Sequence, residues 1–483
     1  MTSLDFGPSF DSSPVTQPSG TERARSVRSP SEYCPPAPNP PERRHGLPRL
    51  LLTLARNPLE CWPAECFRQP IIKVRIPFCP AFLIHDPVAI KRILLDNTGN
   101  YIKDPIQKRI LSAGLDNGLL GVDGERWQVQ RRTLAPLFAR KTISAFTGAM
   151  LSAADDLVRK WRADSQEPID VSAEMTLLTL NVLALTIFSE GIGGDLGGFR
   201  LAMKSYFEGI GRIGVFDLFG IPATVPRFGL RPVKRAAAYF ENVIDEMIEK
   251  RRRRLDVAAS EDLLTLLLRA LDPSTGRPLS LAEVRSNVLT FLSAGHETTA
   301  NTLTWSLFLL SQSPYWLARV REEADRELSG SHDGLLERLA ITKAVVEEAL
   351  RLYPPIAALS RMAIQADDLG ACSVTPRSLI VIAPYVLHRH ERVWERPAAF
   401  DPQRFLGKSR ERIGRFAYLP FGTGPRTCIG SAFALQEATL VLATIVQRFD
   451  FELLPDAEVW PVQRVTLRPA NGLPMRVSPR MGH

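Results

Sequence analysis

Apolar and polar positions alternate in short segments near residue 71 and then change to a helical spacing. The stretch IIKVRIPFCPAFLIHDP, residues 71–87, predicts two short strands around Pro77 to Pro80, because its apolar runs are short, rich in isoleucine and bounded by proline. The next segment, PVAIKRILLD, residues 87–96, predicts a helix. Helical patterns then dominate up to the region Ser360 to Pro384, where valine, isoleucine and proline return. Since there is no internal repeat and no second composition boundary, we expect one large, mainly α-helical domain with small β-sheets.

The longest helical pattern runs from Leu281 to Ser311, and a regular helix of that length spans roughly 45 Å. A helix that is long and mostly apolar on all sides must pass through the middle of the molecule. Near its centre, residues 295–299 read Gly-His-Glu-Thr-Thr, where a pure core helix would carry leucine or alanine. Because burying polar groups without partners is costly, this cluster indicates a functional site.

Length and composition indicate a globular protein with an N-terminal leader. The 483 residues are 45% hydrophobic, which is enough for a sizeable core. Residues 1–48 are rich in proline, serine and arginine, which predicts a disordered leader or an extended wrap, and residues 49–483 are expected to form the single domain. The N-terminus lacks the apolar core of a signal peptide, and the uncharged run Thr298 to Ala318 is too polar for a membrane helix. We expect a cytoplasmic protein without a transmembrane anchor.

Charge and cysteine content argue against two common classes of protein. The net charge is +8 and the pI about 9.3, but the basic residues are scattered apart from one cluster at Lys250 to Arg254, so nucleic-acid binding is not favoured. That cluster is expected to end a helix, where cations suit the negative end of the dipole, with a membrane or partner patch as the alternative. Six cysteines without C-x-x-C spacing predict free thiols rather than a disulfide scaffold or a zinc site.

The strongest chemical signal is FGTGPRTCIG, residues 421–430, which is followed by the helical pattern SAFALQEATLVLATIVQRF. Gly422 and Gly424 permit a tight turn with close backbone approach. Cys428 would lie just before the N-terminus of that helix, where free backbone N–H groups and the helix dipole stabilise an anion. A thiolate is therefore favoured, although a lone cysteine at such a place is more often a small buried residue.

The whole string resembles the haem-binding loop of the cytochromes P-450, with Phe421, Arg426, Cys428 and Gly430 each at the family's position. The resemblance implies the cytochrome P-450 fold, with haem b between the long central helix and the helix after the cysteine loop. It implies that Cys428 is the axial ligand of the haem iron, that Phe421 shields it, and that Arg426 contacts a haem propionate. The implied activity is that of a haem-thiolate monooxygenase, which inserts one oxygen atom from dioxygen into an organic substrate.

A segment upstream of the cysteine loop resembles the same family. EEALRLYPP carries Glu348 and Arg351, and FDPQRF, further along, carries Arg404. By resemblance, these three residues form a buried cluster of one carboxylate and two guanidinium groups. Taken alone, the Glu-x-x-Arg spacing would suit a surface ion pair that contributes little to stability.

A second segment, DGERWQVQRRTL, carries Trp127 and Arg131, which match the family's helix that donates to a haem propionate. Arg361 is a further candidate cation for the propionates, since a guanidinium suits a carboxylate. Many relatives have histidine just before the matching arginine. This chain has Gln130 there, which puts one propionate contact in question.

The third segment, AGHETT, places Glu297 and Thr298 at the family's acid and alcohol pair, which serves oxygen activation. Gly295 lacks a side chain and is expected to let the helix backbone open. Thr298 would then act as a donor, and Glu297 would exchange protons with solvent through waters. The alternative is that Thr298 only caps a helix distortion and that Glu297 is paired elsewhere.

An apolar substrate pocket is expected above the haem. It should draw on the loop Asn97 to Leu120, a glycine-rich lid within residues 206–230, and the positions Leu292, Ala294, Ile356 and Leu359. These positions are mostly apolar, so a hydrophobic substrate such as a terpenoid, a steroid-like molecule or a fatty acid is expected.

Electrons are expected to come from a separate ferredoxin or flavodoxin-type donor with its reductase. The protein itself is expected to be a monomer. An acidic donor would meet a basic surface. The residues expected there are Arg132, Arg140, Lys141, Lys408 and Arg410.

Two other motifs are discounted. Gly209, Gly211 and Gly214 fit the G-x-G-x-x-G spacing, but they follow a helical stretch and no acidic residue closes a strand-helix-strand unit, so a lid is the better interpretation. His388 and His390 are two residues apart, which puts them on opposite faces of a strand and on non-adjacent faces of a helix. They are expected in a structural helix rather than a metal site.

Two alternatives to a monooxygenase remain. A haem-thiolate isomerase, dehydratase or peroxygenase would need no electron partner, but it would also have less need of the Glu297 and Thr298 pair. A haem-based sensor or carrier is disfavoured, because nothing resembling a DNA-binding or signalling module accompanies the haem site.

Overall fold

The computed structural model of the chain describes residues 33–76, 79–105, 107–108, 117–163, 167–189, 196–210, 231–253 and 262–481. The α-helices are α1 Leu47–Arg56, α2 Pro87–Lys91, α3 Gly124–Leu134, α4 Arg140–Ser144, α5 Thr147–Ala163, α6 Val171–Phe188, α7 Leu196–Ile210, α8 Arg231–Arg252, α9 Leu263–Arg269, α10 Leu281–Ser311, α11 Pro314–Glu327, α12 Leu335–Arg338, α13 Ala340–Leu352, α14 Pro384–Leu387, α15 Gly407–Arg412 and α16 Ser431–Arg448. The strands are β1 Ile71–Ile76, β2 Cys79–Ile84, β3 Tyr101–Ile102, β4 Ile169–Asp170, β5 Leu359–Ala363, β6 Asp367–Asp368, β7 Ser373–Val374, β8 Leu379–Ile382, β9 Phe449–Leu453, β10 Pro461–Gln463, β11 Leu467–Pro469 and β12 Pro474–Pro479. The expected architecture, mainly α with small sheets, is confirmed.

Helix α10 runs through the core and has the predicted bounds. It begins at a capping box, in which the Ser280 hydroxyl accepts from the backbone N–H of Glu283 and the Glu283 carboxylate accepts from the backbone N–H of Ser280. It ends just before Pro314, which suits the first turn of the next helix. Helices α6, α8, α13 and α16 pack around it. The uncharged run Thr298 to Ala318 is therefore a buried helix end followed by the start of α11.

Among the described residues, one helix is long and apolar enough to cross a membrane, namely α6. More than half of its residues are buried against neighbouring elements. Such burial is also found in the core helices of globular proteins.

The predicted strands near residue 77 form a hairpin, since β1 pairs antiparallel with β2 along its length. The valine and isoleucine region between residues 359 and 382 supplies β5 and β8, which complete a five-stranded sheet in the order β1-β2-β8-β5-β3. The helix predicted after the hairpin is α2, which the Asp86 side chain caps and which continues as a π-helical turn to Asp96. These local predictions are confirmed.

The expected leader is only partly covered, because residues 1–32 lie outside the described residues. Residues 33–46 contain no helix or strand and lie against the helical body. The Phe400 backbone N–H donates to the Tyr33 carbonyl, and the Tyr353 hydroxyl donates to the Pro36 carbonyl at 2.8 Å. This part of the segment is an extended wrap, while the domain boundary at residue 48 stays a prediction.

Helix α8 ends at Arg252, within the basic cluster, as the charge pattern predicts. Arg251 of that cluster turns inward, where its guanidinium lies 2.6 Å from the Asp262 carboxylate and donates to the Phe188 carbonyl. The cluster therefore ends a helix and ties it to α6 and α9.

Candidate active site around Cys428

The cysteine loop leads into helix α16, with Cys428 just before its first turn. Gly422 and Gly424 have φ angles of +66° and +74°, which favour glycine. A Cβ atom at Gly424 would lie 1.8 Å from the backbone oxygen of Leu94, so the predicted close backbone approach is confirmed. The backbone N–H of Cys428 donates to the carbonyl of Phe421 at 2.8 Å and closes the loop.

The side chain of Cys428 is exposed to solvent-sized molecules, yet burial by the surrounding protein raises the pKa of its thiol. From these two observations together we infer that it lines an internal cavity. A backbone hydrogen bond at Gly430 and the charge of Arg131 lower the same pKa. A thiolate here needs a cation in the cavity to offset the burial, which fits a metal that takes a soft sulfur ligand.

Positive charge is concentrated beside the loop. The Arg426 guanidinium stacks on the ring of Trp127, 4.3 Å from its centroid, and donates to the Asp123 carboxylate at 2.7 Å. The Nζ atom of Lys103 lies 3.4 Å from the same carboxylate. The pKa of Lys103 is lowered to about 8, mainly by burial. The charges of Arg426 and Arg361 also lower this pKa, whereas Asp123 raises it.

Within the described part of the chain, Lys103, Arg361 and Arg426 outnumber the carboxylates that act on them, Asp104 and Asp123. Burial lowers the pKa of Arg361, and the charge of Arg426 lowers it further, as expected where cations converge. The surplus fits a cofactor that carries carboxylate groups. The sequence did not point to Lys103, because no periodic pattern marks a buried lysine.

Gln130 does not join this group. Its buried amide donates to the Asn117 carbonyl at 2.8 Å and to Glu283 at 3.3 Å, and it accepts from Asn287 at 3.2 Å. Gln130 therefore ties α3 to the first turns of α10, and its amide is engaged in these bonds.

One face of α10 borders the internal space. Ala294 is exposed although it lies in the middle of a buried helix. Leu292, expected in the same pocket, is 0% exposed. Two residues along a helix rotate the side chain by about 200°, so Leu292 points into the core, which corrects its expected place in the pocket. Ile356 is exposed and Leu359 partly exposed on the segment that leads into β5.

Gly295 serves helix packing rather than helix opening. Helix α10 passes through it without a break, which corrects the expected opening. A Cβ atom at Gly295 would lie 3.1 Å from the Cδ1 atom of Leu183 in α6. Glycine at this position therefore lets α6 and α10 approach closely.

The acid and alcohol residues of α10 have separate partners. The Thr298 hydroxyl donates to the carbonyl of Ala294 at 2.7 Å, one turn back. The Oε1 atom of Glu297 accepts from the Thr466 hydroxyl at 2.7 Å. Burial raises the pKa of the Glu297 carboxyl, while Thr466 and the charge of Arg468 lower it.

The other two polar residues of the cluster, His296 and Thr299, are buried. His296 is buried with Nδ1 3.0 Å from the Leu292 carbonyl, and burial lowers its pKa to about 4. Burial raises the pKa of Glu437 in α16 well above its usual range, and nearby Thr299 lowers it. Neither oxygen of Glu437 reaches standard hydrogen-bond geometry within the described residues.

The structure brings Glu348, Arg351 and Arg404 together. Arg351 and Glu348 are both 0% exposed and share two hydrogen bonds, of 2.7 and 2.8 Å. The Nε atom of Arg404 lies 3.6 Å from Glu348. Arg351 also donates to the backbone carbonyls of His388, Pro397 and Ala399. A surface ion pair is excluded by this burial.

The basic residues expected at a partner surface divide into two groups. Arg140, Lys141 and Lys408 are exposed. Arg132 lies 3.2 Å from Asp272, and Arg410 lies 3.2 Å from Glu347, so these two are already paired within the chain.

The discounted motifs are only partly covered by the described residues. Gly209 lies inside α7, whereas Gly211, Gly214 and most of the expected lid fall outside the described residues, as do residues 109–116 of the pocket loop. His388 is buried and accepts from the Leu419 backbone N–H at 2.8 Å. Over the described part of the chain, no group of three or more His, Cys, Asp or Glu side chains could hold a metal ion.

A surface cavity of about 750 Å³ lies elsewhere, lined by α11 and by Arg480. Its wall is charged, and its three arginines are paired, Arg321 with Asp450, Arg326 with Glu327 and Arg480 with Asp325. None of the candidate site residues described above lines it, so the cavity lies apart from the Cys428 site.

Known proteins resemble this chain over nearly its whole length. The family model described as cytochrome P-450 matches residues 40–474. Cyclooctatin synthase of Streptomyces melanosporofaciens is 34% identical, covering 89% of this chain and 93% of that protein. Pentalenene oxygenase of Streptomyces avermitilis is 30% identical, covering 88% and 94%. The crystal structure of the cytochrome P450DA heme domain superimposes with a TM-score of 0.79 at 29% identity, covering 93% and 99%.

Proposed function

This chain belongs to the cytochrome P-450 family and is a monooxygenase, an enzyme that inserts one oxygen atom from dioxygen into a hydrophobic molecule. From that premise we propose its substrate class and the roles of its residues. Haem b is its cofactor. One observation carries the residue assignment: Cys428 is exposed just before the N-terminus of α16, where a backbone hydrogen bond at Gly430 and the charge of Arg131 oppose the rise in thiol pKa that burial causes. When bound, the haem supplies the iron at which dioxygen is activated.

We assign the cofactor contacts to residues beside that cavity. Cys428 would hold the iron, the Phe421 ring would shield the sulfur, and the Gly430 backbone would support the thiolate. The propionates would be neutralised by Arg131, Arg361 and Arg426, with Trp127 fixing the last of these by stacking.

Proton delivery is assigned to α10. Thr298 lies on the cavity side of the helix, on the same face as Ala294, and its hydroxyl can donate to a group in the cavity when it leaves the Ala294 carbonyl. Glu297 is the only acid of the Gly-His-Glu-Thr-Thr cluster, and burial raises its pKa, so it can hold a proton nearer to neutral pH than an exposed carboxyl.

We propose a terpenoid first among the hydrophobic substrates, ahead of steroid-like molecules and fatty acids. The similar proteins include pentalenene oxygenase and cyclooctat-9-en-7-ol 5-monooxygenase, whose names specify a hydrocarbon and an alkenol. Ala294, Ile356 and Leu359 present apolar surface that suits such molecules. The loop from Asn97 to Leu120, part of which lies outside the described residues, stays a proposed contributor to the pocket.

A P-450 monooxygenase draws its electrons from a redox partner. We propose an acidic ferredoxin or flavodoxin that meets exposed Arg140, Lys141 and Lys408, with the enzyme acting as a cytoplasmic monomer. Arg132 and Arg410 are weaker candidates for this contact because each is paired within the chain.

The reduced protein should give, with carbon monoxide, the absorption spectrum of a thiolate-ligated haem. Terpenoids should then shift the haem spin state in optical titrations, and the ligand that does so should be oxidised with dioxygen and a reductant. A carbon monoxide spectrum of histidine type would refute the assignment of Cys428. Product formation that needs only added peroxide would favour a peroxygenase.

Thr298→Ala should leave substrate affinity and the haem spectrum nearly unchanged, because among the described residues the hydroxyl donates to a helix carbonyl alone. Product formed per electron should nevertheless fall severalfold, with reducing equivalents diverted to hydrogen peroxide. Both quantities are measured against reductant consumed. Thr304→Ala is the matched control, because that buried hydroxyl also bonds one turn back, to Ala300. Normal coupling in Thr298→Ala would remove the proposed proton-delivery role.

Glu297→Gln should slow turnover with dioxygen by roughly a hundredfold, because a general acid typically contributes a rate factor of about that size. Turnover driven by hydrogen peroxide should survive better, because that oxidant arrives with its protons. The ratio of the two rates is the measurement. An equal loss in both reactions would instead indicate a structural role for Glu297.

A further inference from the structure

The carboxyl group of Glu297 is bound from outside its own helix. Thr466 lies in the turn between β10 and β11, and its hydroxyl oxygen is 2.7 Å from Oε1 of Glu297. The same oxygen accepts from the side-chain amide of Asn301 in α10, at 2.9 Å. Asn301 and Thr466 are both buried. Three side chains therefore form a chain of hydrogen bonds that water does not interrupt.

The direction of these bonds follows from the atoms available. The Thr466 hydroxyl has one hydrogen, and its oxygen already accepts from the Nδ2 group of Asn301. Its hydrogen is thus free to point at Glu297, where Oε1 accepts it. A donor held in this direction stabilises the charged form of a carboxyl, in agreement with the lowering of the Glu297 pKa by Thr466.

The turn that carries Thr466 is itself anchored. The Leu467 backbone N–H donates to the Pro355 carbonyl at 2.9 Å, and the Gln463 backbone N–H donates to the side chain of Asn57 at 3.1 Å. The indole of Trp305 in α10 also lies 3.4 Å from the Leu467 carbonyl. The donor therefore sits on a fixed scaffold and does not need to be ordered when Glu297 ionises.

The second oxygen of Glu297 is in the opposite situation. Oε2 is buried and has no hydrogen-bond partner among the described residues. Arg468, from β11, is the charged group that acts on the carboxyl, and His296, beside it in α10, is kept neutral by burial. In a protonated carboxyl the carbonyl oxygen is the better acceptor, so the oxygen facing the Thr466 donor stays unprotonated. The proton then belongs on Oε2.

On the basis of the role proposed above for Glu297, we propose that Thr466 is a positioning residue. Its hydroxyl, which is held by the Asn301 amide, occupies Oε1, so the carboxyl takes up and releases its proton through Oε2 alone. The C-terminal hairpin thereby sets both the orientation and the acidity of the catalytic acid. Nothing in the local sequence of α10 specifies this partner.

The test is an infrared titration of the haem-loaded protein, following the C=O stretching band of protonated Glu297 against pH. The band is assigned by its absence in Glu297→Gln. Thr466→Val removes the donor and keeps the shape, and it should move the midpoint upward by about one pH unit, a tenfold rise in proton affinity. Thr466→Ser keeps the hydroxyl and should titrate like the wild-type protein. Thr304→Val is the matched control, because its buried hydroxyl donates within α10, to the carbonyl of Ala300.

The pH profile of product formed per electron should move in the same direction in Thr466→Val and stay in place in Thr466→Ser. If Thr466→Val is recovered poorly, Asn301→Leu provides a second route, with a smaller upward shift because the hydroxyl is no longer held. An unchanged or lowered midpoint in Thr466→Val would overturn the proposal, since a lowered midpoint means that Glu297 donates to Thr466. The carbon monoxide spectrum of each variant is recorded separately, so a failed haem-thiolate assignment is distinguishable from a failed role of Thr466.

Discussion

Cys428→Ser is expected to abolish the carbon monoxide spectrum of a thiolate-ligated haem completely while leaving a folded chain. A serine hydroxyl does not ionise under the conditions that favour the Cys428 thiolate, so the soft anionic ligand is lost. The substitution is nearly isosteric, and the side chain faces an internal cavity rather than a packed core, so little packing is removed. Circular dichroism checks the fold, and difference spectroscopy with carbon monoxide checks the ligand.

Cys372→Ser is the control for this change. Cys372 is partly buried in the turn between β6 and β7, where burial raises the pKa of its thiol, and none of the cofactor contacts proposed above involves it. It should keep the full spectrum. A thiolate-type spectrum that persists in Cys428→Ser would mean that another cysteine binds the iron.

Glu348→Ala and Arg351→Ala are expected to lower the free energy of unfolding by about 3–5 kcal/mol each and to reduce haem retention. Either change leaves one charge buried without its partner, and Arg351→Ala also leaves three backbone carbonyls without their donor. Arg404→Ala should cost less, because Arg404 is 3.6 Å from Glu348 and less deeply buried. Denaturant unfolding and the ratio of haem to protein absorbance provide the measurements.

Glu391→Ala is the matched control for the buried cluster. Glu391 forms an ion pair with Arg68, and both side chains are more than half exposed. The loss of this pair should therefore change the free energy of unfolding by less than about 1 kcal/mol. If Glu348→Ala does not fold well enough to measure, Glu348→Gln keeps the shape of the side chain and should still be less stable than Glu391→Ala. Normal stability and full haem in Arg351→Ala would contradict the buried cluster.

Local chemistry explains which parts of this molecule could be predicted from its sequence. The bounds of α10 follow from the capping box at Ser280 and from Pro314, both within a few residues of the helix ends. The hairpin of β1 and β2 follows from proline-bounded apolar runs. The turn that presents Cys428 follows from Gly422 and Gly424, whose φ angles are positive.

Rotation about a helix axis and contacts between distant segments were decided by packing instead. The apolar pattern of α10 does not distinguish the cavity face at Ala294 from the core face at Leu292, because the helix is apolar all round. Gly295 was expected to open the helix, yet its role is set by Leu183 of a different helix. The sequence alone thus determined the central helix, the first hairpin, the cysteine loop and the family, since each depends on residues close together in the chain. Only the tertiary structure decided that Glu297 meets Thr466, because a hydrogen bond between residues so far apart exists only after the C-terminal hairpin has packed against α10.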